Sequence, residues 1–336
     1  MAFSLGLNRR HFVLGSASAA LAAPAFRRAS AATDLRLAHP ADVTHPVHIE
    51  AEAMVKRISE RTNGALNIKI FANNALGSPV EAAQQTKLGA IDMMLFNPAN
   101  IESMSKSIGV VNIPYQFDNY EHAHKTLDET GRGFITKTLA DAGFTWIANF
   151  EWGFRATSNS KRPINVPADV QGLRIRVPPE LAIKAAFEAL GASTQTVAFQ
   201  EVYLALANNL VDGQDNPIGT TFAAKFFEVQ KHIALTRHIY ASIMFCANPR
   251  KWSALPEDQR KIIQEEAKIA GAAARKSVRD GEEGQVAKME KAGLTITRPD
   301  PAAFRAKMEP AYAQLRKGLG DEVWNTWAKH VADARG

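Results

Sequence analysis

The chain has 336 residues, 46% of them hydrophobic and 22% charged, and one cysteine, Cys246. That length suits two domains and that composition an ordinary globular protein; a single cysteine excludes an intramolecular disulfide. The formal charge is +6, but Arg9, Arg10, Arg27 and Arg28 precede Ala32 with no acid among them, and setting these four aside from the 40 basic residues leaves 36 against 34 acidic ones. No basic cluster interleaved with aromatics stands out in the rest, so nucleic acid is not expected as a partner.

Asn8-Arg9-Arg10-His11-Phe12-Val13-Leu14 is a twin-arginine pattern. An apolar, alanine-rich run follows, too short for a membrane span, and Ala29-Ser30-Ala31 fits a small-x-small cleavage site. Residues 1–31 therefore read as a twin-arginine signal peptide, with a mature protein free in the periplasm.

The next elements alternate. A strand is expected over 34–38 and a loop over 39–44. His45-Pro46 opens a helix that runs to 62 and stops at Asn63-Gly64. Leu66, Ile68 and Ile70 mark a second strand. Ser78-Pro79-Val80-Glu81 supplies a cap, a proline at the first helical position and a capping-box glutamate. A third strand is expected over 91–96, and this β-α-β-α-β order implies a parallel sheet covered by helices.

A helix is expected from near Tyr120 and a strand over 144–150, with 151–155 crossing between lobes. Leu173, Ile175 and Val177 alternate with Arg174 and Arg176 in a strand that Pro178 and Pro179 stop; a helix over 180–190 follows. Residues 226–236 read as a helix and 238–246 as a strand returning to the first lobe. A long helical pattern begins at Pro256, with breaks possible at Gly281 and Gly284. Unbroken to 292 it would span about 55 Å at about 1.5 Å per residue, enough to brace two lobes. The expected division is 32–153 with 242–281 in lobe I, and 154–241 with 282–336 in lobe II.

Arg176 lies late in its strand, where open α/β sheets gather ligands, and its guanidinium fork matches a carboxylate. Arg155 follows an aromatic, glycine-containing turn. Asn216, in DGQDNP, suits a turn or an amide that orients a ligand. Phe199 and Trp152 suit core or pocket wall; Asn97 and Asn100 follow a strand end. His39 follows the first strand and can face a cleft. Enzyme signals are poor: there is no GxSxG, GxxxxGK[ST], HExxH or GxGxxG after a strand. Cys246 sits in the apolar run IMFCA, which favours burial over nucleophilicity. His45, His48, His122 and His124 lack partners for a metal site, and no cofactor is expected.

GLRIRVP, FQEVYLAL and VDGQDNP, at these separations, resemble the solute-binding proteins of tripartite ATP-independent periplasmic (TRAP) transporters, the family that takes up C4-dicarboxylates, sialic acid and sugar acids. RTNGALNIKIF, NNALGSPVE and LGAIDM upstream, and FFEVQKHIALTRHIY and LPEDQRKII downstream, extend the likeness over the mature chain. The resemblance implies a two-lobed α/β periplasmic binding fold of the Venus-flytrap kind, a small organic acid buried between the lobes, and TRAP membrane permease subunits as partners. Through it, Arg176 matches the arginine that salt-bridges the ligand carboxylate and Arg155 a second contacting arginine. Asn216 becomes a ligand contact, and Phe199 packs on the ligand's carbon skeleton. Asp215 stands where many relatives have glutamate, a change that reshapes the pocket. Asn97 and Asn100 stand as neutral amides where sialic-acid-binding relatives carry an acid and an arginine, which argues against sialic acid. An exported enzyme and a ligand-sensing module remain as alternatives. The first needs catalytic groups that cannot be assembled, and the second needs a partner other than a permease.

Overall fold

The structure, a computed structural model, describes residues 1–2 and 32–335. The signal-peptide motifs fall outside the described residues.

The first stretch alternates β1 (Thr33–Ala38), α1 (Pro46–Arg61), β2 (Leu66–Phe71), α2 (Pro79–Leu88) and β3 (Met93–Phe96). Its helix starts follow local chemistry. The His45 ring accepts the Val47 N–H and Pro46 takes the first turn of α1. Ser78 and Glu81 close a reciprocal capping box on α2, whose end is turned by Gly89 in the left-handed region. Two helices, α3 (Tyr120–Lys125) and α4 (Arg132–Ala142), lead to β4 (Thr145–Asn159).

The middle of the chain holds β5 (Arg174–Val177), α5 (Leu181–Ala189), β6 (Ser193–Thr196), α6 (Val202–Ala207), β7 (Gly213–Pro217) and α7 (Ile218–Ala223). It is followed by β8 (His232–Ala234), β9 (Tyr240–Ala247), α8 (Pro249–Ala254) and α9 (Glu257–Lys291). The tail is β10 (Thr295–Thr297), α10 (Pro301–Arg305), α11 (Glu309–Leu319) and α12 (Asp321–Asp333).

These strands order as β2-β1-β3-β9-β4-β7-β5-β6, with β8 on β4 and β10 on β8. The parallel β1, β2 and β3 meet the antiparallel β9, which pairs with the first part of β4 from Thr145 to Phe154. The last part of β4, from Arg155 to Asn159, pairs with β7, and β5 and β6 extend that side in parallel. One 15-residue strand thus belongs to both halves. Residues 151–155, expected as a connection after a strand ending at 150, are instead the middle of it. The register shifts between Glu151 and Gly153, where Gly153 has φ +98°, so the strand turns from one half to the other without ending.

Residues 226–236 also differ from expectation. They form a short 3₁₀ turn (Phe226–Val229) and β8, not one helix. The strand exists because β4 and β10 flank it, and neither partner is local.

The long helix is unbroken, as its pattern allowed. Glu257 and Asp258 at its start and Lys288 and Lys291 at its end suit the helix dipole. Ile263, Ala267, Ala270 and Ala274 pack in one core with Leu37, Met54, Phe150 and Phe245. Farther along, Val286 and Met289 pack in another with Ala156, Ile218 and Ile233. One helix therefore anchors in both halves. Gly271 lets it lie directly on β4: a Cβ there would stand 2.2 Å from the Asn149 carbonyl oxygen. Glu266 ties the helix to α1 through Arg57 at 2.5 Å and Arg61 at 2.8 Å.

The tail divides. Ala311 and Leu315 of α11 join a core of the second half with Ile175, Ile183 and Phe187. Trp327 and Val331 of α12 pack instead beside Leu139 and Phe144 in the first. Cys246 is fully buried, and burial pushes its thiol pKa up.

Candidate functional site

A cavity of about 280 Å³ opens where β1, β3 and β5 end and β4 crosses. Arg176, Arg155, Asn216, Phe199, Trp152, Asn97 and Asn100 all line it. Residues as far apart in sequence as Pro40 and Asn216 meet here because the parallel strands deliver their carboxyl ends to one place.

The two arginines are placed differently. Arg155 is buried, and its Nε pairs with the Asp215 carboxylate while its Nη2 donates to the Asp215 carbonyl at 2.8 Å and to Asn216 Oδ1 at 3.3 Å. Burial works against its charge, but the Asp215 carboxylate outweighs that and the pKa is raised. Asp215 itself also accepts from His238 Nε2 at 3.1 Å. Burial would raise its pKa; the Arg155 guanidinium and the hydrogen bond from His238 outweigh that and hold it low. Arg155 and Asp215 thus cancel one another.

Arg176 has no such counter-ion. It is 2% exposed, and its Nε and Nη2 both donate to the Val197 carbonyl, at 3.0 and 2.8 Å. Among the described residues it makes no salt bridge. Burial lowers its pKa to about 10, which leaves it charged at neutral pH. Arg174, two residues earlier on the same strand face, is held outside by Asp212 at 2.6 Å.

Glu180 is a wall residue that sequence reasoning missed. Burial pushes its carboxyl up to about 8, against the pull of Arg155, so it is mainly neutral at pH 7. Asn112 Nδ2 donates to it at 3.4 Å. Its signal in the sequence was slight: an acid directly after the prolines that end β5. Ser78, Thr196 and Gln200 join the wall as well. A neighbouring groove of about 440 Å³ shares Pro178, Pro179, Glu180 and Thr196 with the cavity and carries Glu102, Lys106 and Lys184 on its far side.

Two expected contacts do not reach the wall. Asp215 is turned to Arg155 and His238, so it acts as a counter-ion behind the cavity. His39 is buried with its Nε2 3.1 Å from His48 Nδ1, and burial with His48 and His45 nearby lowers its pKa to about 3. It packs under the first strand end, while its neighbour Pro40 lines the cavity. Asn97 is at the wall, but its amide is largely occupied by Ala99 N–H at 2.9 Å and the Ser242 carbonyl at 3.3 Å. Asn216 is similarly engaged, donating to Gln214 Oε1 at 2.6 Å.

An α/β fold with two halves joined by a shared strand and braced by one helix, and a cationic cavity at the strand ends, defines a two-lobed solute-binding protein. The chain belongs to the bacterial extracellular solute-binding protein family 7, the DctP family, whose model matches residues 37–318. It is 33% identical over 302 residues to the 2,3-diketo-L-gulonate-binding periplasmic protein YiaO of Escherichia coli, covering 90% of this chain and 89% of that one. Among solved structures it resembles a TRAP periplasmic solute-binding protein from a Sulfitobacter species with bound β-D-galacturonate. The TM-score is 0.85 and the identity 25%, with 90% of this chain and 100% of that one covered. A TRAP solute-binding protein from Sulfurospirillum deleyianum with bound succinate gives a TM-score of 0.81 at 27% identity, with coverage of 88% and 97%. The resemblance read in the motifs and the two-lobed fold it implied are both borne out.

Proposed function

We propose that this protein captures a small organic acid in the periplasm and delivers it to the membrane subunits of a TRAP transporter. The observation that carries the reading is the charge balance of the cavity. Arg155 is neutralised by Asp215 and Glu180 holds its proton, which leaves the buried Arg176 as a net positive charge facing the space. A ligand carboxylate supplies the missing partner, and in a dry cavity that attraction is far stronger than in water. Asn216, Asn100, Trp152 and Phe199 then shape and orient the rest of the ligand, with Asn97 stiffening the strand end. Relatives bound to galacturonate and succinate support the class of ligand.

The lobes we propose are 32–153 with 242–281, and 154–241 with 282–319, with α12 carried on the first, as the packing of Trp327 supports. They close on the acid, and the closed form is what the permease reads. Export runs by the twin-arginine route; replacing Arg9 and Arg10 with lysine should leave the precursor in the cytoplasm, and unchanged periplasmic yield would count against that route.

Calorimetry with D-gluconate, D-galacturonate and succinate tests the clamp. Removing one partner of a buried, hydrogen-bonded charge pair costs about 2–5 kcal/mol, so Arg176→Ala should bind its acid roughly 30- to 5,000-fold more weakly. Arg176→Lys keeps the charge, loses the fork and should also bind weakly. Arg174→Ala is the control. A folded Arg176→Ala protein that binds within about threefold of wild type, a span under 1 kcal/mol, overturns the assignment.

A further inference from the structure

Beside the cavity lies a chamber of about 70 Å³. The two spaces share Pro40, Trp152 and Phe199, so the chamber continues the cavity on the side of the first strand end. Asp42, His45, Asn73 and Thr220 complete its polar lining, and of these His45 and Thr220 are the buried ones, 3% and 6% exposed. His45 Nε2, Trp152 Nε1 and Thr220 Oγ1 are all buried and have no hydrogen-bond partner among the described residues. Buried polar atoms are rarely left so, and three around one small space point to something that fills it.

The chemistry of these atoms is specific. His45 Nδ1 accepts the Val47 N–H at 3.1 Å, so in the neutral ring the proton sits on Nε2. Burial keeps that ring neutral, lowering its pKa to about 4. Trp152 Nε1 can only donate, and Thr220 can donate or accept. The unpartnered atoms of the chamber are therefore two uncharged N–H donors and a hydroxyl, while Asp42, also in its lining, accepts from the Thr44 backbone N–H and hydroxyl. The chamber complements neutral oxygen, and it lacks the cation that a second carboxylate would need on losing water.

We propose that the chamber is a second subsite that receives a hydroxyl- or carbonyl-bearing end of the ligand, making the preferred ligand a polyhydroxy monocarboxylate of sugar-acid type and not a C4-dicarboxylate. This rests on the carboxylate reading of Arg176: one end of the acid is fixed there, and the oxygenated end passes Trp152 and Phe199 into the chamber. The volume has room for more than one water-sized group.

Calorimetry on the mature chain separates the two claims. The probes are D-gluconate, hexanoate of equal carbon count, succinate, and glycolate, which reaches only the arginine. Wild type should bind D-gluconate at least tenfold tighter than hexanoate or succinate. Thr220→Val, which removes one hydroxyl at nearly constant shape, and His45→Asn, which keeps a capping side chain for α1 and removes the Nε2 donor, should each weaken D-gluconate about 5- to 10-fold and leave glycolate within twofold. Two variants guard against one failing to fold. D-gluconate binding unchanged in both folded variants overturns the subsite, as does succinate binding tighter than D-gluconate, or an equal loss for glycolate. If Arg176→Ala leaves glycolate binding unchanged, the carboxylate clamp itself falls, and the subsite claim falls with it.

Discussion

Glu180 decides how much charge the cavity shows to an anion. Its surroundings are Arg155 on β4, Arg176 on β5, Asp215 on β7 and Glu102, and burial outweighs both arginines. A carboxyl raised from 4.5 to about 8 keeps a proton that the unfolded chain has lost. Its contribution to stability is therefore greatest below pH 4.5, falls as pH rises between those values, and levels off above about 8. Glu180→Gln should raise the unfolding midpoint at pH 8 by several degrees, with the advantage vanishing near pH 4. Binding follows the same proton. Acid affinity should fall above pH 8 as Glu180 ionises beside the ligand, by up to tenfold per pH unit, and the fall should be absent up to pH 9.5 in Glu180→Gln. A wild-type affinity that is flat from pH 6 to 9.5 would dismiss this role. Arg176 was legible because a period-2 strand pattern carried it to a strand end. Glu180 was not, because PPE reads equally as an exposed helix start, while Asn112, Glu102, Arg155 and Asp215 reach it from distant parts of the chain. Asp215 was misplaced for the same reason, since its partner Arg155 comes from another strand.

Among the elements, α9 shows most clearly what a pattern can and cannot tell. Its length was legible from the absence of proline and the charges at its two ends. That glycines would not break it was not, and Gly271 turns out to be a contact requirement. Gly271→Ala should destabilise the fold by about 1–3 kcal/mol, the usual cost of forcing a methylene into a packed site. Gly284, on the same helix, has open space around its Cβ direction, and Gly284→Ala should stabilise by up to about 1 kcal/mol through helix propensity. Urea unfolding of both variants checks the pair; equal effects would show that α9 does not press on β4 as described. Short strands were the weak point of the sequence reading. β6, β7 and β8 are STQT, GQDNP and HIA, and nothing in them signals a strand. They are strands because β4, β5 and β10 lie alongside, so their shape is a tertiary fact.

Across the whole molecule, neither half is a contiguous piece of chain. β9 lies between β3 and β4, so the first sheet is closed by a strand made after most strands of the second half. A fragment of residues 32–239, which lacks β9 and α9, should show no cooperative thermal transition, whereas residues 32–335 should show one. A cooperative transition in the fragment would mean that the second half folds alone. Interleaved lobes were expected from the chain's return after Tyr240 and the helix after Pro256. The continuous β4 was not, because Gly153 looked like a break and serves as a bulge.

The position of β9 also sets a clock on synthesis. Met93 pairs with Ala247, so when β3 leaves the ribosome its partner has not been made. At about 5–20 residues per second the wait is roughly 8–30 s. During it the apolar run MMLF is an open edge, the kind that seeds aggregation. The yield of this protein in a cell should therefore respond to elongation rate and to chaperones that shield nascent chains, even for variants whose final stability is unchanged.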